Sequence, residues 1–163
     1  MNALNICICG EAGQGLVTVG QLLSKSLVRT GYHIVVTQSY QSRIRGGHNA
    51  FYIRVSPAPV AAPADDIDVL VTLNEEGIVL HREEMAPDGW VLCDAAYGKS
   101  GERVLSIPYA EIGEGGEFLN IAAFAVIGAL LGLDAHFMGE MVREAFGKKG
   151  NPATMEKNLS VLE

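Results

Sequence analysis

LNICICGEAGQGL, residues 4–16, is the stretch on which the fold turns. Leu4 to Cys9 is a short continuous apolar run and reads as a fully buried first strand. Glycines at 10, 13 and 15 follow at once, as a turn between a strand and a helix needs. From Leu16 the period changes: Leu16, Val19, Gly20, Leu23 and Leu27 recur on one helical face, and Gly31 supplies the stop. Ser24, Lys25 and Arg29 lie off that stripe and are expected to face water. Gly20 lies on it, where a missing side chain lets the helix approach a sheet closely. Inside the strand, Cys7 and Cys9 alternate with Ile6 and Ile8, so the two thiols share one face.

Working outward, Ile34 to Thr37 is expected as a second strand, completing a strand–helix–strand unit with a right-handed crossover. Ser39 to His48 reads as a polar, basic loop. Ala50 to Val55 alternates, with Phe51, Ile53 and Val55 opposite Tyr52 and Arg54. Pro57 to Pro63 is a connection that no central strand tolerates. Ile67 to Leu73 and Trp90 to Cys93 read as buried strands flanking a short helix around Glu75 to Glu83, and Val104 to Ile107 as an edge strand. Helices are expected near Leu119–Leu131, Ala135–Phe146 and from Pro152 on. Ile121 to Leu133 is too short to cross a bilayer and reads as a helix buried on most sides. This order of elements predicts a three-layer α/β/α domain with a mostly parallel central sheet.

At 163 residues and 48% hydrophobic, the chain suits one domain, residues 1–163. Its formal charge of −7 argues against a nucleic-acid surface. The three cysteines lack the loop spacings of a metal site, so buried reduced thiols in a cytoplasmic protein are expected, with no iron–sulfur cluster held by this domain. With no positively charged segment ahead of an apolar stretch in residues 1–9, no signal peptide is expected. His33, His81 and His136 show no metal spacing, and Asp65, Asp66 and Asp68 read as solvated residues leading into a strand.

Two motifs carry candidate chemistry. The turn with Gly10, Gly13, Gln14 and Gly15 places backbone N–H groups at the positive end of a helix, where phosphate or carboxylate binds well. Its G-x-x-G-x-G spacing is not that of dinucleotide folds, no acidic residue ends the second strand, and Glu11 opposes a phosphate, so a purely structural turn fits as well. The second motif is Ser42-Arg43-Ile44-Arg45-Gly46-Gly47-His48-Asn49. Arg43 and Arg45 can grip phosphate, carboxylate or an acidic segment of a partner, and Gly46 and Gly47 let the backbone come close. A solvated basic loop is the bland alternative. His48 reads as a structural or binding residue, and Asn120 as a helix N-cap or a buried hydrogen-bonding group.

The ordered set GEAGQG at 10–15, SYQSRIRGGHN at 39–49, IRVS at 53–56, IDVLVTLN at 67–74 and NIAAFAVIGALLGL at 120–133 resembles the gamma domain of 2-oxoacid:ferredoxin oxidoreductases. It is most similar to the form fused to the N-terminus of 2-oxoglutarate-type alpha subunits, with the pyruvate and ketoisovalerate enzymes in the same gamma family. The resemblance implies the fold of domain III of pyruvate:ferredoxin oxidoreductase. It implies an enzyme that decarboxylates a 2-oxoacid oxidatively to an acyl-CoA and reduces ferredoxin, with thiamine diphosphate, iron–sulfur cluster and coenzyme A in the holoenzyme. The gamma domain is then inert alone, holds no cofactor itself, and aids coenzyme A binding or assembly with the alpha and beta subunits. Gly13, Gln14 and Gly15 match the family's Gly-Gln-Gly turn, and Arg43, Arg45, Gly46 and Gly47 its basic-glycine loop. No Tyr-Pro-Ile-Thr-Pro segment follows, so an excised or shortened domain is expected, self-associating when isolated. A stand-alone nucleotide-binding α/β protein and a pure interaction module remain the alternatives.

Overall fold

The computed structural model describes residues 3–40, 47–97, 101–147 and 151–162. The buried run at the N-terminus forms β1 (Leu4–Glu11), whose residues 5–10 are all buried. The predicted period then gives α1 (Leu16–Arg29), buried through Leu16, Val19, Gly20, Leu22, Leu23, Ser26 and Leu27. Gly20 does what its place on the stripe implies: a Cβ there would lie 2.5 Å from the Phe51 ring. Ser24 departs from expectation, since its Oγ is buried and has no hydrogen-bond partner among the described residues.

After α1 come β2 (His33–Tyr40), β3 (His48–Ser56), β4 (Ile67–Thr72), α2 (Glu75–Leu80), a 3₁₀ turn at Arg82–Glu84 and β5 (Met85–Asp94). The chain continues through β6 (Val104–Ile107), α3 (Tyr109–Ile112), α4 (Leu119–Leu130), α5 (Ala135–Phe146) and α6 (Pro152–Ser160). The short helix α3 had no periodic signature. The sheet order is β2-β3-β1-β4-β5-β6. β1, β4, β5 and β6 pair in parallel, whereas β3 runs antiparallel to both β1 and β2.

The sheet is thus mostly parallel, with one reversal. β2 runs parallel to β1 but does not touch it, because β3 is inserted between them. The expected polar loop is correspondingly shorter: Ser39 and Tyr40 belong to β2 and His48 to β3. Antiparallel neighbours can be joined by a short connection, so the chain returns beside β2 before it crosses the sheet. β3 takes the inner position because both its faces are apolar enough; β2, mostly exposed, takes the edge.

The two faces of the sheet are covered unequally. Ile6, Ile8, Phe51, Ile53 and Val71 pack with α1, α4 and α5 in one large core. The opposite face carries a smaller cluster of Cys7, Cys9, Ala50, Ile67 and Leu70. There α2 lies against β1 and β4, with Gly77 over Thr72 and Cys9.

Candidate functional site

The Gly-rich turn hands β1 to α1 through Gly15, whose φ of 78° is left-handed and suits glycine. The first turn of α1 has no side-chain cap. A Cβ on Gly15 would lie 2.9 Å from the Cβ of Asn120, so α4 also begins at this spot. Phe118, not Asn120, is the N-cap of α4, and it makes no side-chain cap hydrogen bond. Asn120 Oδ1 instead accepts from the N–H of Ile121 at 3.0 Å. Two uncapped helix N-termini therefore flank a cleft of about 350 Å³, lined by Gly13, Gln14 and Gly15 on one side and Gly116, Glu117, Leu119 and Asn120 on the other. Converging positive helix ends favour an anion there, and the carboxylate of Glu117 opposes one.

Gln14 is engaged at both ends of its amide. Its Oε1 accepts from the N–H of Glu11 at 2.7 Å, and its Nε2 donates to the Leu73 carbonyl at 3.0 Å. It braces the turn against the end of β4, and Gly10 leaves room for it, since a Cβ there would lie 2.5 Å from Oε1. The two sequence motifs meet: Ala12 N–H donates to the Gly47 carbonyl at 3.1 Å, and His48 stands opposite Glu11 in the β1–β3 ladder. Arg43, Arg45 and Gly46 lie outside the described residues.

A second constellation, which sequence spacing did not disclose, lies on the thinly covered face. The Sγ atoms of Cys7 and Cys9 and a ring nitrogen of His81 lie within 4.8 Å of one another, all buried. β1 contributes both thiols and the residue after α2 the imidazole. His48, the first residue of β3, places Nε2 2.8 Å from Nε2 of His81. On its other side, His81 Nδ1 is 3.0 Å from a carboxylate oxygen of Glu84, which also accepts from the Tyr52 hydroxyl at 3.2 Å.

The electrostatics of this cluster are polarised. Hydrogen bonding from Cys7, helped by His48 and His81, lowers the Cys9 thiol to about 3 against the effect of its burial. Cys7 keeps its proton and is pushed well above the ordinary thiol range, by that same hydrogen bond and by burial. Burial disfavours a charge on His81, but hydrogen bonds to Cys9 and Glu84 outweigh it and raise the imidazole to about 9. Such a site can stabilise a thiolate or hold a soft metal ion. The signal legible in the sequence was Cys-x-Cys on one strand face; His48 and His81 join it only through strand pairing and the docking of α2. Cys93, the remaining cysteine, is buried on β5 outside this group, so the chain does not present the four thiolates of an ordinary iron–sulfur cluster.

Residues 5–163 match the family described as pyruvate ferredoxin/flavodoxin oxidoreductase. Ketoisovalerate oxidoreductase subunit VorA of Methanothermobacter thermautotrophicus is 27% identical over 98% of the chain, which spans 35% of that subunit. The 2-oxoglutarate synthase subunit KorC of Archaeoglobus fulgidus is 28% identical over 89% of the chain and 80% of its own length. Among solved structures, the 2-oxoglutarate:ferredoxin oxidoreductase of Magnetococcus marinus, with 2-oxoglutarate, coenzyme A and succinyl-CoA bound, superposes with a TM-score of 0.87 at 20% identity. That likeness covers 99% of this chain and 30% of the other, and it extends to the fold.

Proposed function

The chain belongs to the pyruvate ferredoxin/flavodoxin oxidoreductase family, and on that premise we propose that it serves as the gamma domain of a 2-oxoacid:ferredoxin oxidoreductase. The holoenzyme decarboxylates a 2-oxoacid oxidatively to an acyl-CoA and passes the electrons to ferredoxin. Thiamine diphosphate and the iron–sulfur cluster are held by the alpha and beta partners, in keeping with the cysteine inventory of this chain. The domain is inert alone, part of a larger cytoplasmic assembly, and in the described residues no helix is long and apolar enough to cross a membrane. The substrate in this reading is 2-oxoglutarate, supported by the alignment with KorC along most of that subunit, while VorA supports a branched-chain oxoacid.

The observation that carries the reading at the level of residues is the junction of the two motifs. Gly47, the last residue of the basic-glycine motif but two, is hydrogen-bonded to the Gly-rich turn, next to the cleft where α1 and α4 begin. Helix N–H groups converging on that cleft suit a phosphate of coenzyme A, and arginine, the residue type of positions 43 and 45, is suited by its chemistry to grip one bidentately. A second reading, in which this region and the sheet edge hold a partner subunit, is favoured by a separate feature. Leu4, Val69, Leu105, Ile127 and Leu130 line an apolar cleft of about 320 Å³, with Trp90 48% exposed at it. Uncovered apolar surface of this kind also underlies self-association of the isolated chain.

Arg43→Ala and Arg45→Ala in the whole enzyme test these readings. A raised Michaelis constant for coenzyme A with normal assembly supports the ligand role, and failed assembly supports the partner role. No change in either removes the loop from the site. Viologen reduction by the isolated domain with 2-oxoglutarate and coenzyme A would contradict its inertness.

A further inference from the structure

We infer that Cys7, Cys9, His81 and His48 form a structural zinc site that clamps β1 and β3 to the end of α2. Zinc takes thiolate and imidazole ligands in a tetrahedron, with bonds of about 2.3 Å to sulfur and about 2.0–2.1 Å to nitrogen. The edges of such a tetrahedron are roughly 3.3–3.8 Å. Donor atoms of Cys7, Cys9 and His81 within 4.8 Å of one another need to draw in by about 1 Å. The two imidazole nitrogens, now 2.8 Å apart, need to open by about half an ångström. This spacing suits a single ion.

Three further observations point to a metal. His81 is oriented as a ligand: Nδ1 is engaged by the Glu84 carboxylate at 3.0 Å, which leaves Nε2, 2.8 Å from His48 Nε2, as the nitrogen to bind an ion beside the two thiols. A carboxylate behind a ligating histidine is the usual arrangement at zinc, because it sets the tautomer and strengthens the donor. His48, which is 92% buried by the measure of its 8% exposure, has an Nδ1 with no hydrogen-bond partner among the described residues. Nothing on that nitrogen resists a small turn of the ring onto the ion. Finally, two thiolates and two neutral imidazoles make Zn²⁺ electrically neutral, which removes the cost of separated charges in a buried place. Thiolate donors together with imidazole favour zinc over magnesium or calcium, which take oxygen ligands.

All four ligands are buried, Cys7 and Cys9 fully, and together they fill the four positions of the tetrahedron, so the site's role is structural rather than catalytic. It would hold three segments distant in sequence in one register next to the Gly-rich turn, since His48 pairs with Glu11 at the end of β1.

The test uses the purified protein, prepared without chelator and analysed for metal by mass spectrometry. One zinc per chain is expected. After removal of the metal, titration with Co²⁺ should produce the intense visible bands of a tetrahedral ion together with thiolate-to-cobalt charge transfer, both abolished by added Zn²⁺ and not by Mg²⁺. Cys9→Ser should lose stoichiometric uptake. Because that buried change can unfold the chain, Glu84→Gln is the companion variant: Glu84 is half exposed, and losing its support should weaken zinc affinity by about 10–100-fold while the fold persists. His48→Gln should alter the cobalt spectrum. Absence of tetrahedral cobalt bands in the unsubstituted protein, or metal uptake unchanged in Cys9→Ser and Glu84→Gln, overturns the site. An unaltered spectrum in His48→Gln overturns its four-ligand form.

Discussion

The two faces of one sheet behave as different materials, although the same strands build both. On the α1 side, β1 contributes Ile6 and Ile8 to an apolar core with Leu23, Phe51 and Phe124, where stability comes from area and fit. On the α2 side, the alternate residues Cys7 and Cys9 meet His81 and, through Cys9, His48, and the packing there is a hydrogen-bonded network. The difference teaches that a buried strand need not bury the same chemistry on both sides. The thick helical layer covers a face that is almost wholly apolar, while a thin one of six residues and a 3₁₀ turn leaves room for titratable groups.

If the first face is governed by packing, truncating Phe51 should have the largest effect. Phe51→Ala is expected to cost about 3–5 kcal/mol, because the ring fills the notch left by Gly20 and neither sheet nor helix can collapse into the void. Urea denaturation measures it, and a loss below 1 kcal/mol, given as an approximate threshold, would remove the distinction between the faces. The converse experiment adds volume on the other side. In Gly77→Ala the new Cβ would lie 2.6 Å from Cys9 Sγ, so α2 must lift from the sheet, at a cost of about 1–3 kcal/mol. Nuclear magnetic resonance should locate the disturbance at His48 and His81 rather than in the large core.

A smaller effect belongs to the turn that joins the faces. Gln14→Ala deletes two hydrogen bonds that brace Glu11 and Leu73, and a loss of about 0.5–1.5 kcal/mol is expected, with faster amide exchange confined to the turn. The smallest belongs to the outer rim of the helical layer, where Arg29 reaches Glu144 at 2.6 Å with both side chains about half exposed. Hydrogen bonding from Arg29 holds the Glu144 carboxyl below its ordinary range. Its contribution is therefore present above that ordinary range and is lost as pH falls through the lowered value. Arg29→Ala should differ from the parent near neutral pH in low salt, and the difference should vanish in acid and in high salt. A difference that persists in high salt would point to the contact of the Arg29 guanidinium with the Met141 sulfur at 3.2 Å instead of the ion pair.

How much was legible can be judged from particular elements. The 3.6-residue stripe from Leu16 to Leu27 and the alternation from Phe51 to Val55 were clear because each period is local and each face is decided by the nearest neighbours along the chain. The strand order was not, because β3 could pair anywhere until its two apolar faces found β1 and β2. Of the two roles open to Asn120, the N-cap falls to Phe118 two residues earlier, because α4 starts at Leu119, and Asn120 is instead a partly buried hydrogen-bonding residue; no sequence rule anticipates an aromatic cap.

The sequence by itself determined the α/β class, the Gly-rich turn and the placing of Cys7 and Cys9 on one strand face, since backbone period and glycine stereochemistry are properties of adjacent residues. Only the tertiary structure decided that β3 would be inserted between β1 and β2, that α1 and α4 would begin at one cleft, and that His48 and His81 would close around those cysteines. These depend on contacts between residues as far apart as positions 15 and 120, and such contacts form only when apolar faces on separate strands and helices are buried together.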